Sequence, residues 1–200
     1  MNRIAVAIIF LCATYVPALA QAPKSAAEVS EKQWQDVLLA VSDEQWDKAF
    51  QLASQYKEQM KIDDERLPKL RYIYLYAAAG RVSAGVMSFD ELEQVAKDFN
   101  GKEIAFPYRR IMVNCHGDLN FICATEGSKD KLSVSATNKA GTTIHALEYV
   151  QLKEEFDAAS HRGEHASLAG VIEAIKLNPN KSRFLVMRIY VTGGFVMLKG

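Results

Sequence analysis

The sequence predicts an α+β fold in which antiparallel helical hairpins precede a small β barrel, and three observations support this prediction. Between residues 25 and 100, apolar residues recur at intervals of three and four, which is typical of helices with one buried face. After Gly101 the interval becomes two, as in half-buried strands. The chain has 200 residues, of which 49% are hydrophobic, enough for one ordinary domain or two small ones.

Residues 1–20 have the pattern of a cleaved signal peptide. Arg3 gives a positive start, residues 4–16 form an uncharged apolar run, and Pro17 ends that run shortly before Ala20. The run is too short to cross the hydrocarbon core of a bilayer. We therefore expect cleavage after Ala20, a periplasmic or secreted protein, and no stable membrane insertion after cleavage. The alternative is an uncleaved N-terminal anchor.

Residues 21–100 are predicted to form a helical domain with four helices. Very short connections within each pair favour antiparallel hairpins. Two such pairs loosely resemble tetratricopeptide-type hairpins, and a closed helical bundle fits the pattern equally well. The predicted buried faces of the first two helices contain Trp34, Val37, Leu38 and Val41, then Trp46, Ala49, Phe50, Ala53 and Tyr56.

Local signals predict where these helices begin and end. Ser25 and Glu28 have the spacing of a capping box before the first helix, and Ser88 and Glu91 have the same spacing before the fourth. Gly80 is expected to end the third helix, since glycine favours the position after a C-terminus.

Residues 101–114 are predicted to form an extended connection and residues 115–200 a β-barrel domain. The alternation is clearest from Lys131 to Thr137. An amphipathic helix is predicted over 151–161, and a reversal at Gly193 and Gly194 before a short closing strand. The predicted longer strands are residues 121–124, 131–137, 142–150, 167–177 and 182–191.

Three strands, a helix and two further strands form the element order of an OB-fold, and residues 115–200 resemble an OB-fold in that order. A second all-β topology is also compatible with the pattern. As a whole, the chain resembles in shape uncharacterised exported bacterial proteins with a barrel of this type.

Cys115 and Cys123 are the two cysteines that remain after removal of the signal peptide. An even count in an exported chain favours a disulfide, which we expect to hold residues 116–118 in a turn. The alternative is a pair of free thiols packed as small hydrophobic groups.

Charge and motif content exclude several classes of function. The 24 basic and 24 acidic residues are interspersed, so the chain has no long-range field that would attract nucleic acid. It contains neither a glycine-rich phosphate loop nor a G-x-S-x-G nucleophile motif. We therefore expect no nucleic-acid partner, no cofactor and no catalytic residue.

A candidate ligand surface lies on the second and third strands of the predicted barrel, where OB-folds often bind their ligands. It consists of Ser133, Ser135, Thr137, Thr143 and His145. Such a hydroxyl-rich face suits a glycan or another small ligand. The same alternation is also typical of any solvated strand.

A candidate partner surface lies on the helical half and at the junction with the barrel. We expect an exposed apolar patch around Trp34 or Trp46. Arg109 and Arg110 form the tightest basic pair, which suits an acidic partner or a salt bridge across the junction.

One short string matches a metal-binding motif. His161, Glu164 and His165 have the spacing H-x-x-E-H, which places two zinc ligands and a general base together on a helix. The alternative is a polar helix end whose histidines contact the last carbonyls. Gly163 within the string argues against a helical zinc site, so we expect no metal ligands here.

These observations together predict an exported, non-catalytic binding or adaptor protein of the cell envelope. Its expected partner is another envelope or secreted protein. The alternative is a glycan-binding or small-ligand-binding module of OB type. A zinc-dependent hydrolase that uses His161, Glu164 and His165 is the less favoured alternative.

Overall fold

The computed structural model describes residues 28–113, 115, 119–125 and 127–200. In this part of the chain four helices precede seven strands, which confirms the α+β class. The helices are α1 (Glu31–Ser42), α2 (Trp46–Gln59), α3 (Leu67–Ser83) and α4 (Phe89–Lys97). The strands are β1 (Glu103–Ala105), β2 (Arg109–Met112), β3 (Ile122–Ala124), β4 (Lys131–Thr137), β5 (Ile144–Leu152), β6 (His165–Leu177) and β7 (Leu185–Leu198).

Capping boxes begin α1 and α4. The predicted box of α4 is confirmed, because the Ser88 hydroxyl accepts from the Glu91 amide at 3.1 Å and the Glu91 carboxylate accepts from the Ser88 amide at 2.7 Å. The box of α1 is formed by Ser30 and Gln33. The predicted signal peptide lies outside the described residues. Of the predicted capping box, Ser25 lies outside them and Glu28 lies within them.

Helix α3 is central, and Gly80 does not end it as predicted. The helix continues through Gly80 to Ser83. The indole ring of Trp46 occupies the position where a Cβ atom on Gly80 would stand. Glycine is therefore required here by the close packing of α2 on α3 and not by a helix stop.

The strands form one sheet in the order β1-β6-β2-β3-β4-β5-β7, and β6 also pairs with β7, which closes the sheet. The β2–β3 and β5–β7 pairs are parallel, and the other pairs are antiparallel. Strands β1 and β2, which the sequence analysis assigned to a connection, pair with different parts of β6. The long strand β6 therefore pairs with three other strands, β1, β2 and β7.

The amphipathic helix predicted over 151–161 is wrong. Gln151 and Leu152 continue β5, and turns follow up to Glu164. Backbone amides in this segment donate to distant carbonyls, Leu152 to Asp130 at 2.7 Å and Phe156 to Lys129 at 2.8 Å. Tertiary hydrogen bonds thus replace the bonds to the fourth preceding residue that a helix requires.

The reversal predicted at Gly193 and Gly194 is also wrong, because β7 runs without interruption from Leu185 to Leu198. A Cβ atom on Gly194 would overlap the Val150 side chain of β5. The glycine allows close approach of the two strands at a point where their register shifts, and the chain direction is retained.

One continuous cluster of buried side chains joins the helices to the sheet. It includes Leu75 of α3, Ile104 of β1 and Ile189 of β7, all without exposed surface. Helix α3 packs on β1, β5 and β7, and α4 packs on β6. The two halves therefore share a core, and their division into domains at residues 101–114 stays a prediction.

Candidate functional site

A cavity of about 650 Å³, which we call the cleft, lies between helices α1–α3 and the strand-rich half. Its walls contain aromatic side chains from both halves of the chain. Its polar lining includes Arg109, Asn120 and Thr137, and the exposed Lys69 and Lys139 also border it. The aromatic residues are Trp34, Trp46, Tyr72, Tyr76, Phe106 and Tyr108.

Trp46 forms a rigid part of the cleft wall. Its ring packs edge-on against Tyr76, with centroids 5.5 Å apart, and against His145, with centroids 4.9 Å apart. Gly80 gives the indole room to approach α3. These contacts fix the orientation of the tryptophan.

His145 is buried beneath these aromatic rings because of a β-bulge. Ala136 pairs with Ala146 and Thr137 pairs with Ile144, so His145 has no partner residue on β4. Only 1% of its surface is exposed, and its Nδ1 atom has no hydrogen-bond partner. Burial lowers the pKa of His145 to about 4, so the imidazole is neutral at neutral pH.

Arg109 extends from β2 into the cleft lining, where neighbouring polar groups hold its guanidinium. One terminal nitrogen donates to Asn120 Oδ1 at 3.0 Å, and the other donates to the Tyr72 hydroxyl at 3.3 Å. The Nε atom is buried without a partner. Arg109 is therefore oriented but not saturated with hydrogen bonds.

Asn120 connects Arg109 to the end of β4. Its side-chain nitrogen donates to Thr137 Oγ1 at 2.6 Å, and its side-chain oxygen accepts from the Thr137 amide at 3.1 Å. The Tyr76 hydroxyl donates to the Thr137 carbonyl at 2.6 Å. Asn120 has a φ angle of 64°, a left-handed conformation that asparagine tolerates better than most residues. The network thus links β2, β4 and α3.

Glu148 lies on β5 with 0% of its surface exposed. Neither carboxylate oxygen has a hydrogen bond of normal geometry. Burial raises the pKa of Glu148 to about 7, although the nearby Arg109 charge and the Tyr72 hydroxyl lower it in part. A buried carboxyl group whose pKa is shifted strongly by burial, close to a cavity, is a candidate functional group.

The structure brings together residues that the sequence analysis assigned to two separate surfaces. Trp34, Trp46, Arg109 and Thr137 line the cleft, and His145 supports it from beneath Trp46. Trp34 is buried and Trp46 is half-buried, so the tryptophan rings themselves do not form an exposed apolar patch. Their apolar surface faces the cleft.

Other predicted site residues lie away from the cleft lining. Ser133 and Ser135 are half-buried on β4, opposite Tyr149 and Leu147 of β5. Thr143 belongs to the turn before β5, where its amide donates to Asn138 at 3.0 Å. Exposed Arg110 follows Arg109 on β2.

The sequence analysis missed Tyr72, Asn120 and Glu148. Glu148 carried a usable signal, since it shares the inward-facing positions of β5 with Ala146 and Val150. A single acidic residue in such an apolar row is unusual. Asn120 carried no comparable signal, because its role depends on the backbone conformation of a loop.

The helix required by the H-x-x-E-H hypothesis is absent from the described segment 153–164, which overturns that arrangement. His161 stacks on Phe156 and lies 3.1 Å from Glu164, while the exposed His165 begins β6. Within the described ranges, no three histidine, cysteine, aspartate or glutamate side chains are grouped closely enough to hold a metal ion.

Cys115 and Cys123 form the predicted disulfide, with their sulfur atoms 2.09 Å apart. The turn expected at residues 116–118 lies outside the described residues. None of the helices in the described part of the chain has both the length and the hydropathy needed to cross a bilayer.

Comparisons with known proteins identify no relative of this chain: no family model, no curated protein and no solved structure matches it.

Proposed function

We propose that this chain is an exported, non-catalytic binding protein whose cleft holds a small amphiphilic ligand. The cleft itself carries this proposal. Its volume of about 650 Å³ is within the usual range of small-molecule sites, and its aromatic walls surround a few oriented polar groups. A ligand with an apolar body and one polar end would match both features.

The cleft also favours a ligand-binding function over a primarily protein-binding one. Both tryptophans that were expected to contact a partner line the cleft. Trp46 is packed against Tyr76 and His145, so its ring is ordered without a ligand. Preorganised aromatic walls lower the entropy lost when a small ligand binds.

We propose further that strands β2–β7 form an OB-like barrel. The closed sheet, the parallel β5–β7 pair and the antiparallel β6–β7 pair support this proposal. Turns at residues 153–164 take the place of the helix of an OB-fold, so the likeness is in strand arrangement. Export rests on the residues 1–20 pattern, and the Cys115–Cys123 disulfide supports a periplasmic or secreted location.

An adaptor function is the second candidate, and one observation favours it. Leu39 on α1 is 56% exposed and follows Leu38, which lines the cleft and is 37% exposed. An envelope or secreted protein that covered Leu39 would also close the side of the cleft formed by α1.

Fluorescence provides the test, because the chain contains two tryptophans and both line the cleft. Titration with 2-naphthol, a neutral amphiphilic probe, is expected to change the tryptophan emission in a saturable manner and to raise the melting temperature. Leu38→Glu is expected to weaken this binding at least tenfold, because it places a charge on the cleft wall. The neighbouring Leu39→Glu is the matched control and should bind 2-naphthol as the wild type does.

The two variants separate the two candidate functions. Equal binding of 2-naphthol by the wild type and Leu38→Glu, or no saturable binding by the wild type, would contradict the ligand-binding proposal. Loss of an envelope partner in Leu39→Glu, with 2-naphthol binding intact, would support the adaptor function.

A further inference from the structure

The cleft contains a charge arrangement that an apolar ligand would not require. Arg109 is half-buried in the lining, whereas Lys69 and Lys139 are exposed at the surface. Glu148 is fully buried nearby, and its carboxylate has no hydrogen bond of normal geometry. Burial of a charged group without a partner is costly. The presence of both Arg109 and Glu148 therefore calls for an explanation other than stability.

We propose that the cleft binds a carboxylate attached to an apolar body, with Arg109 as the anchor of that carboxylate and Glu148 as an internal charge that competes with it. This inference rests on the proposed ligand-binding function. Linear and planar carboxylic acids share this chemistry, and the experiment below distinguishes them.

The geometry of Arg109 suits the anchor role. A guanidinium carries five N–H donors in a planar arrangement that matches a carboxylate, and Asn120 and Tyr72 each accept only one hydrogen bond from it. These two contacts orient the side chain in advance. Its charge has no partner carboxylate in hydrogen-bond contact among the described residues.

The surroundings of Glu148 make it the group that controls the charge of the cleft. Tyr72 and Tyr76 face it from α3, and Arg109 acts on it from β2. Burial raises the pKa of both tyrosines, to about 12 for Tyr76, so neither ionises below pH 9. The cross-strand partners of Glu148 on β4 and β7 are the apolar Val134 and Ile189.

Protonation of Glu148 then determines how strongly Arg109 attracts an anion. Burial raises the pKa of Glu148 to about 7, so it is mostly neutral at pH 6 and mostly ionised at pH 8.5. The neutral form leaves the Arg109 charge available to a ligand, whereas the ionised form compensates it. His145 does not contribute over this interval, because its pKa of about 4 keeps it neutral throughout.

The experiment compares acids with alcohols of the same skeleton. The probes are dodecanoate with dodecanol, for a linear body, and 2-naphthoate with 2-naphthol, for a planar body. At pH 6 the preferred acid is expected to bind the wild type at least tenfold more tightly than its alcohol. The same acid should bind about tenfold more weakly at pH 8.5, while binding of the alcohol stays constant.

Three variants isolate the two residues. Arg109→Met should reduce acid binding to the level that the same variant shows for the alcohol. Arg110→Met, its exposed neighbour on β2, should change neither acid binding nor alcohol binding. Glu148→Gln should bind the acid equally at pH 6 and pH 8.5, because its side chain does not ionise.

The outcomes distinguish the inference from the function on which it rests. If neither an acid nor an alcohol binds, the ligand-binding function fails and this inference fails with it. If acids and alcohols bind equally, the function stands and the Arg109 anchor is wrong. If Arg109→Met does not fold, the pH dependence of acid binding in the wild type and in Glu148→Gln tests the inference instead. An acid affinity that is independent of pH in the wild type would overturn the role of Glu148.

Discussion

The cleft and the outer face of β4–β7 use similar residue types in opposite ways. On the outer face, Tyr149 stacks on Tyr190 with centroids 5.2 Å apart, and Lys176 lies 4.9 Å above the Tyr190 ring. Those aromatic rings pack on one another beside solvent-accessible Ser133. In the cleft, aromatic rings line the same cavity as Arg109, whose buried Nε atom has no hydrogen-bond partner. The comparison teaches that the same residue types form either a self-packed surface or an open cavity, depending on whether aromatic rings contact one another or enclose an incompletely paired polar group.

The largest expected difference between the two regions comes from removal of one aromatic ring in each. Trp46→Ala should lower the free energy of unfolding by about 3 kcal/mol, because it deletes the packing against Tyr76, His145 and Gly80. Tyr149→Ala should cost less than about 1 kcal/mol, since Tyr149 is 38% exposed. Urea denaturation followed by far-UV circular dichroism measures both values. Equal losses would show that the outer face is as tightly packed as the cleft.

The second prediction concerns opposing pH effects in and beneath the cleft. Glu148 has a raised folded pKa of about 7, so its contribution to stability is lost as pH rises from about 4.5 to 7. His145 has a lowered folded pKa of about 4, so its contribution is lost as pH falls from about 6.5 to 4. Between pH 4.5 and 6.5 the two effects nearly cancel in the wild type.

Substitution of either group should expose the effect of the other. In Glu148→Gln, the free energy of unfolding is expected to increase by about 2 kcal/mol as the pH rises from 4.5 to 6.5, because the effect of His145 is no longer offset. In His145→Gln, the free energy of unfolding should decrease by a similar amount over the same rise in pH, because the effect of Glu148 is no longer offset. Chemical denaturation at several pH values measures both slopes, and slopes of the same sign in the two variants would refute the arrangement.

The third prediction tests the contact that positions Trp46. Alanine normally stabilises the middle of a helix relative to glycine by about 1 kcal/mol. At Gly80 the added Cβ atom would overlap the Trp46 indole, so Gly80→Ala should instead destabilise the protein by about 1–2 kcal/mol. It should also shift the tryptophan emission. Stabilisation by the alanine would show that the indole has room to move.

Periodicity predicted the elements that depend on local signals. The α4 capping box and the bounds of β4 follow from residues within three or four positions of one another, and both predictions are confirmed. The helix predicted over 151–161 failed because its amides bond to Lys129 and Asp130, far away in sequence. An amphipathic pattern does not reveal such distant acceptors.

The sequence predicted some residues of the candidate site, among them Arg109 and Thr137, but not how the site is assembled. Arg109 and Tyr72 are separated by 37 positions, and Asn120 and Thr137 by 17. Nothing in the local pattern indicates that these side chains meet. Alternation left open whether His145 faces solvent or a packed patch, because alternation assigns faces correctly only where the register is regular, and a bulge interrupts it there.

The smallest expected effect concerns the hydroxyl groups of the outer face, which were candidates for ligand binding. Ser133 and Ser135 are half-buried side chains on β4 and do not line the cleft. Ser133→Ala and Ser135→Ala should each change the unfolding free energy by less than about 0.5 kcal/mol. They should also leave binding of the preferred acid at pH 6 unchanged, whereas Thr137→Ala should weaken it, because Thr137 holds Asn120 and, through it, the Arg109 side chain that anchors the carboxylate. Weaker binding in either serine variant would extend the ligand site to the outer face and remove the distinction between the two regions.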